Sequence, residues 1–154
     1  MARFTPKQTK EETGMFGGEY KHILDPKNRI FIPAKLREEL GSTFVVAKDI
    51  REKCLKVYSL EGWEKYITPL REQKRKLSEK ILRFLHASLV QVSPDSQGRI
   101  VLPIELVQHA EIDKNAVIVG CCDYAEIWSE EIYEAMKKEE DISEILAELE
   151  ELGL

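Results

Sequence analysis

Short stretches in which apolar and polar positions alternate recur along the chain. Residues 20–25 and 29–32 lie on either side of a polar turn, and an apolar run at Leu36 and Leu40 follows them and ends at Gly41. A period of two indicates strands, and a spacing of four before a glycine indicates a helix and its end. The pattern therefore predicts a strand, a turn, a second strand and a short helix.

The same order of patterns occurs again 70 residues later. Residues 25–36 align with residues 95–106 and share five of twelve positions, whereas unrelated sequences of ordinary composition share fewer than about one. The offset also relates residues 57–59 to residues 127–129. The chain is therefore predicted to be a tandem duplication. Because a unit of about 40 residues rarely buries enough apolar surface to fold alone, we expect the two repeats to share one core.

Further strands and helices complete the predicted elements. Strands are predicted at residues 44–48, 55–59, 116–121 and 125–129. Between the repeats, one helix is predicted to start near Ser59 and another at Thr68–Pro69, which continues to about Leu89. The second of these helices has an apolar stripe of Leu77, Ile81, Phe84, Leu85 and Leu89.

Taken together, these elements predict an α+β fold with five segments. They are a mobile N-terminal extension at residues 1–14, a first repeat at 15–64, a connecting helical segment at 65–89, a second repeat at 90–129, and an acidic amphipathic C-terminal helical segment at 130–154.

The turn inside each repeat carries the sharpest local signal. Asp25 can accept hydrogen bonds from the amides of the turn that follows it. Asn28 occupies the position where such a turn needs a positive φ, and its counterpart in the second repeat is Gly98. The predicted hairpins therefore present Arg29 and Arg99 at equivalent places on their rims.

Charge is distributed unevenly along the chain. The net charge of the 154 residues is −5, which argues against nucleic-acid binding if the charge is spread evenly. However, residues 129–154 contain ten acidic and two basic side chains, a net charge of −8, so residues 1–128 carry +3. We infer that an acidic tail masks a mildly basic body, and that a polyanion would bind mainly to its first half.

Length and cysteine content exclude several protein classes. The longest apolar stretch, residues 116–122, has seven residues, whereas a membrane-spanning helix needs about 20. Residues 2–14 lack the apolar core of a secretory signal, so we expect a cytoplasmic location. Three cysteines are too few for a disulfide scaffold and are typical of a reducing compartment.

The chain has little sign of catalytic or metal-binding chemistry. Cys121 and Cys122 lie on a predicted strand, where neighbouring side chains point to opposite faces, so a shared metal ion or disulfide is disfavoured. We interpret these two cysteines and Cys54 as packing or surface thiols, and the three histidines have none of the spacings of a zinc site. We expect no enzyme activity, no cofactor and no metal. An enzyme built on Cys121 or Cys122 is the weakest alternative.

Three motifs together resemble a known family. They are MFGGEYKH at residues 15–22, DPKNRIFIPAKLR at residues 25–37 and DSQGRIVLP at residues 95–103. The last two share the pattern D-x-x-x-R followed by three apolar residues and a proline. Two copies at this spacing resemble the MraZ family of bacterial transcriptional regulators, and the resemblance extends from residue 15 to about residue 149.

The resemblance implies a fold, a set of partners and a function. The implied fold is two tandem AbrB-like swapped-hairpin repeats that form a shared, intertwined β pseudo-barrel with flanking helices. The implied partners are further copies of the chain in a ring-shaped homo-oligomer and double-stranded DNA with short direct repeats, upstream of a division and cell-wall gene cluster. A DNA-bound regulator of this kind is expected to be associated with the nucleoid.

The resemblance also implies site residues, since the arginines of the D-x-x-x-R motifs contact DNA in the family. This assigns DNA contacts to Arg29 and Arg99. Family members usually have glycine where Asn28 stands, and often a basic residue where Gln97 stands, so the second loop is expected to bind DNA more weakly. The residues that orient the two loops are Asp25, Asp95, Asn28 and Gly98.

Other basic residues near the first loop have two interpretations. Lys27, Lys35 and Arg37 flank this loop, and each is either a phosphate contact or a solvated surface charge. Arg29 and Arg99 have an alternative of their own, which is a hairpin salt bridge to the aspartate four residues before each of them. The two roles are compatible, because an aspartate that orients a guanidinium leaves its other donors free.

A different class of protein remains open as a rival. The AbrB-like hairpin also occurs in antitoxins, so the chain could be an oligomeric interaction protein whose acidic C-terminal tail binds a protein partner. DNA binding that persists without the tail would favour the regulator, and capture of a protein that depends on the tail would favour the rival.

Overall fold

Eight strands and six helices follow one another in residues 14–73 and 75–154, which are the residues that the computed structural model describes. The strands are β1 (Glu19–Ile23), β2 (Arg29–Phe31), β3 (Phe44–Lys48), β4 (Leu55–Ser59), β5 (Val90–Val92), β6 (Arg99–Val101), β7 (Asn115–Gly120) and β8 (Ala125–Ser129). The helices are α1 (Ala34–Leu40), α2 (Leu60–Gln73), α3 (Lys76–Ala87), α4 (Ile104–Ala110), α5 (Glu130–Lys138) and α6 (Ile142–Glu151). The predicted α+β class is confirmed. The predicted mobile extension lies outside the described residues except for Gly14.

The two repeats exchange strands. Six strands form one antiparallel sheet in the order β1-β7-β8-β4-β3-β5, and β2 pairs with β6 in a separate two-stranded ribbon. The first strand of each repeat thus pairs with the third strand of the other repeat, as Tyr20 opposite Ile118 and Phe44 opposite Val92 show. The order is unchanged when each strand is replaced by its counterpart 70 residues away, so the duplication in sequence is a twofold relation in the fold.

One apolar core joins the two repeats. Its fully buried side chains include Ile30 and Leu36 from the first repeat, their counterparts Ile100 and Leu106 in the second, and Phe44. Burial of one such aliphatic side chain stabilises the fold by about 1.5–3 kcal/mol. Because these side chains contact each other across the repeats, neither repeat has a complete core alone, in agreement with the sequence prediction.

The helical segment between the repeats differs from its prediction. The prediction that a new helix starts at Thr68–Pro69 is wrong, because α2 runs without interruption through Pro69. Proline removes one helical hydrogen bond, but α2 is held against the sheet by the buried side chains of Trp63 and Ile67. The next helix, α3, instead starts at Lys76.

The predicted apolar stripe of α3 is only partly directed inwards. Leu85 is buried, and Ile81 and Leu89 pack against the cluster that α2 forms with the sheet. Leu77 and Phe84 are exposed. Helix α3 therefore packs against α2 and the sheet with only one edge of its apolar stripe.

The C-terminal segment is a pair of helices with unequal burial. Tyr133 of α5 packs on Val117 and Trp128 of the sheet, whereas α6 has no buried residue. The prediction that Cys121 and Cys122 lie on a strand is wrong, because β7 ends at Gly120 and the chain turns there, with Cys122 at a φ of 70°. Within the described ranges, no helix is both long and apolar enough to cross a membrane.

Candidate nucleic-acid interface

The two D-x-x-x-R loops have the same hydrogen bonds. Asp25 Oδ1 accepts from the backbone N–H groups of Lys27 at 2.9 Å and of Arg29 at 2.8 Å. Asp95 Oδ1 accepts in the same way from the backbones of Gln97 and Arg99, both at 2.9 Å. Each aspartate thus closes its own turn, which is the geometry that the sequence pattern predicts.

Each loop contains one residue in the left-handed region. Asn28 has a φ of 60° and Gly98 a φ of 81°. A Cβ atom at Gly98 would lie 2.9 Å from the Phe31 ring and 3.0 Å from Cζ of Arg37. Backbone conformation therefore favours glycine at this position, and a side chain there would displace Phe31 and Arg37, whereas the first loop accommodates a side chain.

The aspartates also orient the two arginines. Arg29 Nε donates to Asp25 Oδ2 at 2.7 Å, and Arg99 Nε donates to Asp95 Oδ2 at 3.0 Å. About a third of each arginine side chain is exposed, and the terminal amino groups have no hydrogen-bond partner among residues 14–73 and 75–154. Each guanidinium group is thus held through its Nε–H, and its terminal N–H groups are available to a ligand.

Electrostatics keeps both aspartates charged. The backbone N–H of Arg29 is the main cause that lowers the pKa of Asp25, and the Arg29 guanidinium lowers it further. The pKa of Asp95 is lowered in the same way by the backbone N–H and guanidinium of Arg99. Both carboxylates are ionised at neutral pH, so each arginine keeps its charge-assisted bond.

The ribbon of β2 and β6 brings the two arginines together. Arg29 lies opposite Val101, and Arg99 lies opposite Phe31. At a rise of about 3.3 Å per residue and a strand separation of about 4.8 Å, this register separates the two arginine Cα atoms by about 8 Å. Ile30 and the second-repeat isoleucine face the core, so the arginines share the opposite face of the ribbon.

Backbone hydrogen bonds lock each loop to the other repeat. The N–H of Ile32 donates to the carbonyl of Gly98 at 2.9 Å, and the N–H of Leu102 donates to the carbonyl of Asn28 at 2.8 Å. The position of each arginine therefore depends on both repeats, so the duplicated chain builds one site from two loops.

Arg37 has a different place from the one that its sequence position predicts. Its Nε donates to the carbonyl of Ile32 at 2.8 Å, and its guanidinium lies 5.6 Å from the Phe31 ring centroid and next to Gly98. The prediction that Arg37 flanks the first loop is thus corrected: the pairing of β2 with β6 places it at the second loop. Lys27 and Lys35 are exposed, the former in the first turn and the latter at the start of α1.

The second loop has few basic residues of its own. The positions equivalent to Lys27 and Lys35 are occupied by Gln97 and Glu105. Arg37, which the first repeat provides, adds a cation next to Gly98 in the second loop. Val101 is an exposed apolar residue that lies opposite Arg29, and the sequence analysis did not select it as a site residue. Its position next to a buried isoleucine in the same strand indicates that its side chain points outwards.

The described residues offer little for catalysis or metal binding. Among residues 14–73 and 75–154, no group of three histidine, cysteine or acidic side chains is arranged to hold a metal ion. Burial raises the pKa of Cys121 to about 12 and that of Cys54 further, so these thiols are protonated at neutral pH. A nucleophile at Cys121 is disfavoured for this reason.

Comparison with known proteins identifies relatives over most of the chain. The family model described as "MraZ protein, putative antitoxin-like" matches residues 15–85 and again residues 84–151. The chain is 40% identical over 144 residues to "Transcriptional regulator MraZ" of Thermoanaerobacter sp. (strain X514), which covers 91% of this chain and all of the relative. It is 38% identical over 137 residues to the protein of the same name from Dictyoglomus thermophilum, which covers 88% of this chain and 93% of the relative.

Proposed function

The chain belongs to the MraZ family, and we propose from this premise that it is a DNA-binding transcriptional regulator that recognises short direct repeats upstream of a division and cell-wall gene cluster. Arg29 and Arg99 make the principal contacts. The observation that carries this proposal is the pair of guanidinium groups, each oriented by an aspartate, on one face of the β2–β6 ribbon.

The chemistry of the two arginines suits a base edge as well as a phosphate. A guanidinium that is held at Nε has its terminal N–H groups free to donate in parallel to O6 and N7 of guanine. A two-stranded ribbon fits the major groove of B-DNA. The separation of about 8 Å between the two Cα atoms corresponds to about two base-pair steps at 3.4 Å each. One ribbon therefore reads two positions of one repeat that are separated by one base pair.

The flanking cations fix the ribbon on the DNA backbone. Lys27, Lys35 and Arg37 are assigned to phosphates, which position the protein and supply salt-dependent affinity. Lys27 and Lys35 act at the first loop, and Arg37 acts at the second. Because the second loop has Gln97 in its turn, its share of the affinity is smaller.

The proposed assembly is a ring-shaped homo-oligomer of intertwined, AbrB-like swapped-hairpin pseudo-barrels. The strand exchange between β1 and β7, and between β5 and β3, supports the swapped arrangement. Cyclic symmetry gives successive protomers a common orientation, which suits direct repeats, whereas an isolated twofold dimer suits a palindrome. The proposed location is the cytoplasm, in association with the nucleoid.

Footprinting on the DNA immediately upstream of the gene tests this function. We expect protection of two or more short repeats with the same orientation, and loss of protection when the repeats are scrambled at constant base composition. Protection that is the same on scrambled DNA contradicts sequence-specific recognition.

A second candidate function is an antitoxin-like interaction protein that binds a protein partner through its C-terminal tail. The exposed apolar residues of α6 favour it. A gel shift with a chain truncated after residue 141 separates the two candidates, since α6 contributes nothing to the arginine loops. Retained DNA binding supports the regulator, whereas capture of a protein partner that depends on the tail, without DNA binding, supports the rival.

A further inference from the structure

Val101 is an exposed apolar residue on the face of the β2–β6 ribbon that holds the two arginines. Its side chain is 55% exposed, whereas its neighbours along β6, Ile100 and Leu102, are buried. Because side chains alternate along a strand, Val101 points to the same side of the ribbon as Arg99, two residues before it. An apolar side chain therefore lies among the cations of the proposed DNA surface.

The register of the ribbon places Val101 beside Arg29, which is its cross-strand partner. The N–H of Leu102 donates to the carbonyl of Asn28, so those two residues form a hydrogen-bonded pair. The next pair along, Arg29 and Val101, is then a non-hydrogen-bonded pair, in which the Cα atoms are about 4.5 Å apart and the side chains lie closest. A ligand group that Arg29 binds is therefore flanked by Val101.

The equivalent apolar position in the first repeat is Phe31, and it is covered. The ring centroids of His22 and Phe31 are 5.0 Å apart, and the Arg37 guanidinium lies 5.6 Å from the Phe31 ring centroid. The positions 70 residues after His22 and Arg37 are both valine, so the second repeat lacks these covering side chains. Of the two equivalent positions, Val101 is thus the one that is open to a ligand.

The position of Val101 corresponds to the base pair between the two that the arginines read. With a rise of about 3.3 Å per residue and a strand separation of about 4.8 Å, the Cα of Val101 projects onto the line from Arg29 to Arg99 at about 3 Å from Arg29. One base-pair step is about 3.4 Å. Val101 also lies about 4 Å to one side of this line, and therefore nearer to one strand of the duplex.

The chemistry of the major groove limits what a valine can recognise. Most groups on the base edges there are hydrogen-bond donors or acceptors, which an aliphatic side chain cannot satisfy. The exception is the C5-methyl group of thymine, which apolar side chains contact. This methyl group projects from the base edge into the groove, so a side chain shorter than arginine reaches it.

We infer that Val101 contacts the C5-methyl group of a thymine in the base pair between the two that Arg29 and Arg99 bind. The contact removes the exposed valine and the methyl group from water, which is favourable for both. It selects thymine over cytosine and uracil, which lack the methyl group. The inference rests on the proposed DNA-binding function and adds a specificity-determining residue to it.

Fluorescence anisotropy with the full-length chain tests this contact. The probe is a duplex with the repeats that are protected upstream of the gene, and each thymine of one repeat is replaced in turn by 2′-deoxyuridine, which removes only the methyl group. Replacement of each guanine by 7-deazaguanine, which removes the N7 acceptor, locates the base pairs that the arginines bind. Arg29→Ala and Arg99→Ala should each become insensitive to this replacement at one guanine.

For the wild type, we expect that loss of the thymine methyl group between these two guanines lowers the affinity about fourfold, the effect of one buried methylene-sized group. Val101→Ser should bind the thymine and deoxyuridine duplexes equally, and Val101→Ile should keep the preference for thymine. A purely structural role of Val101 would change the affinity for both duplexes by the same factor. The slope of log affinity against log salt should not change, because valine neutralises no phosphate.

Ile50→Ser is the matched control. Ile50 is 47% exposed and lies between β3 and β4, outside the ribbon. This variant loses an exposed aliphatic side chain of similar size and should keep the wild-type preference for thymine. Far-UV circular dichroism verifies that each variant is folded, and the wild-type measurement remains decisive if a variant is not, since it depends on no substitution.

Two results would overturn the inference. The first is a wild type whose affinity does not change on removal of any thymine methyl group, and the second is a Val101→Ser variant that keeps the preference for thymine. If that variant also changes in mass by light scattering, Val101 lies between copies of the chain instead. Absence of any binding to the upstream DNA contradicts the proposed function as well, whereas sequence-specific binding without a methyl preference contradicts this inference alone.

Discussion

The two repeats have loops of the same geometry in different electrostatic surroundings. The bond from Arg29 to Asp25 is 2.7 Å long, and that from Arg99 to Asp95 is 3.0 Å long. Around this common arrangement the first repeat has two lysines, whereas the second has Gln97 and Glu105. The difference teaches that the turn alone sets the direction of the arginine, and we expect the flanks to set how strongly each loop attracts a polyanion.

The helices that follow the last strand of each repeat also differ between the two repeats. In the first repeat, Trp63 of α2 donates its indole N–H to Nε2 of His86 on α3 at 3.1 Å, and the pair closes on itself. In the second repeat, α5 packs on the sheet, and α6 has no buried residue. The helices of the first repeat are thus joined by a side-chain hydrogen bond, whereas the last helix of the second repeat has no buried residue.

The largest expected effect concerns the number of DNA repeats. Because one of the two loops has few cations, one protomer should bind one repeat weakly. Further repeats bind intramolecularly, so affinity should rise by about 10² to 10⁴ from one repeat to several. Bending of the DNA around a curved surface opposes this gain at a cost of order 1 to 6 kcal/mol.

Fluorescence anisotropy with duplexes of one to four repeats measures this gain. Insertion of about five base pairs between repeats rotates one of them by half a helical turn and should remove most of the gain. The matched control inserts about ten base pairs and keeps the rotation. Equal affinity for single and multiple repeats would contradict binding through several protomers.

The next effect separates the two arginines. Arg29→Ala should weaken DNA binding by about 5- to 150-fold, because a bidentate base contact contributes about 1–3 kcal/mol. Arg99→Ala should weaken it less, since its loop has weaker phosphate contacts. Arg51→Ala is the control, because Arg51 is an exposed arginine far from both loops in sequence. If neither loop variant differs from this control, the site is wrongly assigned.

A third effect concerns the stability of the two turns. Gly98→Ala should lower the free energy of unfolding by about 1–3 kcal/mol, because alanine is strained at a φ of 81° and its Cβ would crowd Phe31. Asn28→Ala should cost less, since that loop already holds a side chain. Urea unfolding at fixed protein concentration measures both, with Gly17→Ala, which meets nothing within 4 Å, as the control. Equal losses at the two positions would refute the steric difference.

A charge exchange tests the flanks directly. Gln97→Lys should increase the slope of log affinity against log salt by about 1, and Lys27→Gln should decrease it by about 1. The two changes together should leave the slope unchanged while they move the cation from one loop to the other. A slope that is insensitive to both variants means that neither loop position lies near a phosphate.

Local features of this molecule could be predicted from sequence, and pairings distant in sequence could not. The bounds of β3, β4 and β8 follow from apolar runs, and the positive φ of Asn28 follows from its place after a turn proline. The course of α2 through Pro69 could not be predicted, because the burial of Trp63 and Ile67 outweighs the local preference of proline. The place of Arg37 depends on the pairing of β2 with β6, which no local pattern encodes.

The pH dependence of stability gives the smallest expected effect. The pKa values of Asp25 and Asp95 are lowered in the folded chain, so each contributes stability above its unfolded pKa of about 3.9, and loses it as pH falls through its lower, folded pKa. Asp25→Asn and Asp95→Asn should therefore be less stable than the wild type at pH 5 to 7, and the difference should shrink below about pH 4. The Asp25 side chain is 26% exposed and that of Asp95 40%, so solvent weakens the second loop's bonds more and the loss at pH 7 should be larger for Asp25→Asn. Urea titrations at pH 3, 4, 5 and 7 measure these differences, and a gap from the wild type that stays constant down to pH 3 would show that the carboxylate charge is not what holds the loops.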